Sequence, residues 1–102
     1  MENCIFCKIA RDEVPAQKTF EDSEFVAFLD INPKAPGHTL VIPKAHYAWF
    51  LDLPDDLSDR FFRVARSVSQ KLKKEKEADY IHFSIVGKDI PHAHIHLIPQ
   101  KL

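Results

Sequence analysis

The chain has no excess of charge of either sign. Lys plus Arg total 14 against 15 Asp plus Glu, a formal net charge of -1, so no overall field draws it to nucleic acid or to an anionic membrane. It also lacks any uninterrupted apolar run near the ~18 residues that a membrane-spanning helix needs. Its opening stretch, "MENCIFCKIARDE", carries an acid at position 2 and charges from position 8 onward, so the basic start and apolar core of a secretory signal are missing. Together these absences lead us to expect a soluble cytoplasmic protein that binds neither nucleic acid nor a membrane. Cysteine is scarce: there are two, Cys4 and Cys7. In a reducing compartment such a pair is read as thiols rather than a disulfide, leaving metal binding, redox chemistry or packing as its use. No repeat, linker or low-complexity segment interrupts the chain.

What is present suits one compact unit, 1–102, with a single modest core. Apolar residues make up 45% of the 102 positions and eight are Phe, so disorder is not expected. Asn3 is placed to cap a short helix in which Ile5, Phe6 and Ile9 share a face, ending near "DEVP". "KTFED" and "FVAFLDI" read as strands, the second with Phe25, Ala27 and Leu29 on one side and Val26, Phe28 and Asp30 on the other. "NPKAPG" is a turn, and "HTLVIP" a strand that stops at Pro43. From Asp55 to about Lys76, Leu57, Phe61, Val64, Ala65, Val68 and Leu72 recur at the three- and four-residue spacing of a long amphipathic helix. Its acids Asp55, Asp56 and Asp59 lead and Lys71, Lys73, Lys74 and Lys76 trail, as the helix dipole favours. The lysine run is read as a solvated helix end rather than a nucleic-acid patch. "YIHFSIVG" and "HIHLIP" are two further strands, completing an α+β arrangement.

Three of the six histidines fall in the stretch "HAHIHLIP" at every second position. On an extended strand, His92, His94 and His96 share one face while Ala93, Ile95 and Leu97 share the other. The apolar side faces the core and the histidines face a site; the alternative is an exposed polar face that happens to be histidine. His82 is a lone histidine on its own strand and is read as structural or exposed.

"HAHIHLI" resembles the His-x-His-x-His motif of the histidine triad (HIT) superfamily of nucleotide-binding hydrolases and transferases. "CIFCKIARDEVPA", "FLDINPKAPGHTLVIPKAH" and "HAHIHLIP" resemble the family's signature segments in the family's order, and with what lies between them they span nearly the whole chain. The resemblance implies an antiparallel sheet of about five strands with one long helix, paired as a homodimer. It implies that His94 attacks the α-phosphorus of a nucleotide substrate to form a nucleotidyl-histidine that water hydrolyses, without a catalytic metal or organic cofactor. Neutral imidazole suits that role near pH 7. His96 and His38 match the flanking donors that neutralise charge on the phosphoryl oxygens. Asp30 matches the acceptor of ribose hydroxyl hydrogen bonds, and Phe6, Ile9, Phe28 and Ile31 match the apolar walls around the base. For those four, ordinary core packing explains the residues equally well.

A Cys-x-x-Cys pair supplies two of the four ligands that structural zinc requires, and the other two would be histidines. In zinc-bearing members and the related galactose-1-phosphate uridylyltransferases, those are the histidine ending "IPKAH" and the first of the triad. The implied set is Cys4, Cys7, His46 and His92, which leaves His94 and His96 for chemistry. Redox use of the pair and simple packing stand beside this reading.

The sequence departs from the family between "HFSIV" and the triad. Typical members carry a longer glycine-rich loop there with phosphate-binding Asn, Gln or Ser; here it is "GKDIP", in which Lys88 is a candidate phosphate contact. Three residues follow Pro99, where some members carry an extension that shapes leaving-group choice. Three readings result: a nucleotidyl hydrolase acting on a nucleoside phosphoramidate or dinucleoside polyphosphate through His94, a zinc-stabilised nucleotide-binding module with little turnover, or a metal-binding structural protein in which the whole triad is ligand.

Overall fold

Phe25, Val26, Ala27 and Phe28 are all buried, so this strand is covered on both faces and occupies the interior of a sheet. In the computed structural model, which describes residues 3–86 and 90–102, it is β2 (Phe25–Leu29), flanked by β1 (Lys18–Glu21) and β3 (Thr39–Pro43). β4 (Tyr80–Ser84) and β5 (Ile95–Gln100) complete a sheet of order β1-β2-β3-β5-β4. Every neighbouring pair is antiparallel. α1 (Ile5–Ala10) precedes the sheet, and a 3-10 turn (Phe50–Asp52) and α2 (Asp55–Glu75) lie between β3 and β4. The α+β class and the antiparallel five-stranded sheet expected from the sequence are what is found.

The two sheet faces carry different clusters. Phe25, Ala27, Val41, Ile95 and Leu97 meet Phe61, Ala65 and Leu72 of α2. Phe61 is fully buried and stacks on Phe25 with ring centroids 5.4 Å apart; burying a side chain of this size contributes ~1.5–3 kcal/mol. On the opposite face Val26, Phe28, Leu40 and Ile42 meet Phe6 and Ile9 of α1. Because α1 has only six residues, it covers only part of this face, and β4 and β5 stay open beside it. That uncovered area becomes the site.

Helix ends depart from the sequence reading at one point. The cap of α1 is Cys4, whose Sγ accepts the Cys7 N–H at 3.4 Å, and Asn3 precedes it as an exposed turn residue. Phe6 and Ile9 are buried as expected, but Ile5 is 39% exposed. α2 begins after Pro54 with Asp55 and Asp56 in its first turn and ends with Lys73 and Lys74 in its last, each sign at its favoured pole. None of the helices among the described residues is long and apolar enough to cross a membrane.

Gly37, in the turn before β3, has φ +87°, a left-handed conformation that costs L-residues ~1–2 kcal/mol. A Cβ there would also lie 2.8 Å from Lys76 Cε and 3.3 Å from Leu72 Cδ1. The turn can pack this closely on the end of α2 only because the residue is glycine, and that packing fixes where His38 enters β3.

Candidate active site and metal centre

The triad divides between two environments. β5 starts at Ile95, so His92 and His94 lie in the bend before it and only His96 lies within the regular strand. Alternation nevertheless persists through the bend: Ala93, Ile95 and Leu97 all join the α2-side core. Backbone bonds hold the bend in place, from His92 N–H to Ile90 O at 2.8 Å and from Ala93 N–H to Tyr47 O at 2.7 Å.

His92 is fully buried and turns toward the cysteines. Its Nε2–H donates to Pro43 O at 2.8 Å, which leaves the Nδ1 lone pair directed at Cys4 Sγ and Cys7 Sγ, 3.2 and 3.5 Å away. His46 Nδ1 lies 3.2 Å from Cys7 Sγ. The four donor atoms of Cys4, Cys7, His46 and His92 are all within 4.8 Å of one another. With Zn–S near 2.3 Å and Zn–N near 2.0–2.1 Å, tetrahedral ligands would sit about 3.6 Å apart, so the donor set fits zinc after small adjustments of the side chains. The carbonyl of Pro43 supplies the outer hydrogen bond that such a histidine ligand requires. Burial pushes the Cys7 thiol up to about 11, so as a free thiol it keeps its proton at neutral pH. Cys4 and Cys7 form no disulfide.

His94 and His96 line a cavity of about 700 Å³ on the open face, a size usual for a ligand site. Register explains the floor: Leu40, His96 and Ser84 stand in one row across β3, β5 and β4, with Phe28 extending it on β2. Phe6, Ile9 and Phe28 form an apolar wall. Phe6 meets the His94 ring edge-on at 5.2 Å. Ile31 also lines the cavity but is 90% exposed, so it is a rim residue and core packing does not explain it. Asp30 stands at the same rim, with Oδ1 accepting the Asn32 N–H at 2.9 Å and Oδ2 3.5 Å from His38 Nε2. Lys88 lies outside the described residues.

Hydrogen bonds fix the tautomers of all three cavity histidines. The Nδ1–H of His94 donates to His92 O at 2.7 Å, which leaves the lone pair on Nε2. His38 Nδ1 accepts the Lys34 N–H at 3.1 Å, so a neutral His38 carries its proton on Nε2. That proton points at His96 Nδ1, 3.0 Å away, and neutral His96 must then carry its own on Nε2. Burial pushes His38 down, partly offset by Asp30. Burial, then the neighbouring His94 and His38, pushes His96 down to about 4. At neutral pH both are therefore neutral, and the relay runs in one direction. Asp30, His38 and His96 also form a cluster of possible metal donors, but the hydrogen bond between its imidazoles already pairs them without a cation.

Every described residue named from the sequence thus falls into one of two adjoining groups, Cys4, Cys7, His46 and His92 in one and the cavity residues in the other. His82 is exposed as expected, yet it lines the cavity with Tyr80 and Ser84, which the sequence reading missed. The signal was available: alternation in "YIHFS" puts those three on one side, and pairing with the triad strand makes that side the cavity side.

This fold, with a histidine cluster on its open face, defines the histidine triad class. The HIT domain family model matches residues 11–102, and the chain belongs to the HIT family. It is 42% identical over 101 residues to "Uncharacterized HIT-like protein MJ0866" of Methanocaldococcus jannaschii, covering 95% of this chain and 78% of that one. It is 39% identical to adenosine 5'-monophosphoramidase HNT1 of Saccharomyces cerevisiae, covering 96% of this chain and 63% of the relative. Among solved structures it resembles a Zn-bound histidine triad family protein from Mycobacterium smegmatis, with TM-score 0.92 and 30% identity over 98% of this chain and 76% of that one.

Proposed function

We propose that this protein is a nucleotidyl hydrolase that cleaves the bond between a nucleoside 5'-phosphoryl group and its leaving group through His94. The observation that carries the reading is the pinned tautomer set: a lone pair on His94 Nε2 beside a proton on His96 Nε2, both at one cavity. His94 Nε2 attacks the α-phosphorus, and the positive charge that develops on its ring is stabilised by the Nδ1–H bond to His92 O. The bond to the leaving group breaks, the leaving group departs with the electron pair, and an amine takes up a proton from water. His96 Nε2–H donates to a non-bridging phosphoryl oxygen, and His38 keeps that proton outward by filling His96 Nδ1. Water then attacks the phosphorus of the nucleotidyl-histidine and frees the nucleoside monophosphate and His94. Phe6, Ile9, Phe28 and Ile31 take the base, and Asp30 the ribose hydroxyls. The yeast relative's monophosphoramidase name supports a nucleoside phosphoramidate as the first substrate to try.

The same proposal assigns zinc to Cys4, Cys7, His46 and His92, where it would supply a structural cross-link between α1, the segment after β3 and the bend before β5. The Zn-bound relative and the donor spacing support it. A homodimer is proposed on the family resemblance. The exposed sheet edge at β4 and just after it, with Phe83 at 44% and Ile85 at 42% exposure, is the surface that suits it.

The test is release of AMP from adenosine phosphoramidate by the purified protein beside His94→Asn. The expected outcome is turnover in the parent and none in the variant, with nucleotide affinity kept within about tenfold because ground-state contacts survive. Turnover retained in His94→Asn refutes the assignment.

A further inference from the structure

Cys4 and Cys7 are joined to the cavity through a buried histidine. Cys4 caps α1 and accepts the Cys7 N–H on its Sγ at 3.4 Å, and the two sulfurs lie within 4.8 Å of each other. Cys-x-x-Cys at a helix start is the spacing that thiol–disulfide oxidoreductases close and open. His92 is fully buried and gives its Nε2–H to Pro43 O. Among the described residues, its Nδ1 lone pair has only Cys4 and Cys7 to accept from, at 3.2 and 3.5 Å. As thiols the pair supplies S–H donors, and zinc held by the same sulfurs would take the same lone pair. A disulfide does neither: it has no S–H, and its sulfurs must close to ~2.05 Å. The buried nitrogen then loses its partners, which is costly. Two contacts carry that loss to the cavity. His92 O is the acceptor that holds the His94 Nδ1–H at 2.7 Å. Phe6, between the cysteines on α1, packs edge-on against His92 at 5.9 Å and His94 at 5.2 Å.

The geometry points to Cys4 and Cys7 as a peroxide-sensitive thiol–disulfide switch that releases the His92–His94 bend and weakens nucleotide binding. The sulfur of Cys4, the more exposed of the two at 8%, attacks a peroxide oxygen. The O–O bond breaks, hydroxide leaves, and a sulfenic acid forms. Cys7 Sγ then attacks the sulfenic sulfur; the S–O bond breaks, a second hydroxide leaves, and the S–S bond forms. The hydroxides take up two protons from the thiols or from water, so that the two sulfurs are oxidised and one peroxide is reduced to two waters. The effect on binding rests on the proposed nucleotide site, whereas the disulfide and its effect on His94 do not.

The test treats the full chain, with whatever metal it carries, with hydrogen peroxide and then with dithiothreitol. Intact mass should fall by two hydrogens per chain, a peptide map should place the bond between Cys4 and Cys7, and dithiothreitol should reverse it. In histidine-labelled protein, the ring ¹H–¹⁵N signal of His94 Nδ1–H, assigned by its loss in His94→Asn, should shift or vanish on oxidation and return on reduction. The calorimetric dissociation constant for AMP should rise about tenfold, the factor expected when about nine chains in ten lose the competent bend. Cys4→Ser and Cys7→Ser should each give the same signal and affinity before and after peroxide, and reversal in the parent supplies the comparison should either variant fail to fold. Oxidation that stops at sulfinic acid or forms no Cys4–Cys7 bond overturns the switch, as does an unchanged His94 signal or an unchanged AMP affinity in the disulfide form. Absence of AMP binding by the reduced parent counts against the nucleotide reading, and the His94 signal then decides the switch by itself.

Discussion

Lowering the pH from 7 to 5 should destabilise this protein through His96. In the folded chain His96 is pushed from its ordinary 6.5 down to about 4, so between those values the unfolded state binds more protons. Stability from this group is full above 6.5 and is lost as pH falls toward 4. Integrated from pH 7 to 5, the loss is at most about 2 kcal/mol. His96 borders an open cavity, and water reaching it reduces the expected loss to ~1 kcal/mol. His38 is depressed for the same reason and adds in the same direction. The structural cause is specific, because a proton on His96 Nδ1 would face the proton that His38 Nε2 already directs at it. Urea unfolding of the parent and of His96→Asn at pH 7, 6 and 5 reads the effect, and the difference between the two curves removes contributions common to both. The parent should lose ~1 kcal/mol more than the variant, a Tm difference of about 4–8 °C in a domain of this size. Parallel curves for the two proteins across this range would refute the neutral relay.

Other perturbations address other parts of the molecule. Gly37→Ala should cost ~1–2 kcal/mol in chemical unfolding, because it forces a left-handed φ on an L-residue and crowds Leu72. A variant as stable as the parent would mean that the turn re-forms without that geometry. Cys4→Ser should lower thermal stability and metal content together while activity per folded molecule changes less, since structural zinc contributes to folding. Unchanged melting with lost activity would instead put Cys4 in the chemistry. Asp30→Asn should raise KM for adenosine phosphoramidate about tenfold with little change in kcat, as expected of a contact made equally in ground and transition states; a fall in kcat alone would contradict the ribose role.

The sequence by itself determined much of this protein. Alternation and three- and four-residue spacing located the strands and the long helix, because burial on one face imposes those periods on any chain. The position of His94 and His96 opposite an apolar face was likewise written in "HAHIHLIP". Tertiary structure decided what lies far apart in sequence. Cys4 and His92 meet across 88 positions, and His38 reaches His96 only because β3 pairs with β5. No local rule specifies such a pairing, which forms when both sheet faces find cover. The same applies to His82. Its residue type looked incidental on β4, and the antiparallel register with β5 turned it, with Tyr80, into a wall of the cavity. Even the cap of α1 was decided this way. Asn3 is the better capping residue in isolation, but Cys4 is held where its sulfur meets both the helix N–H and a buried histidine, and that position sets where the helix begins.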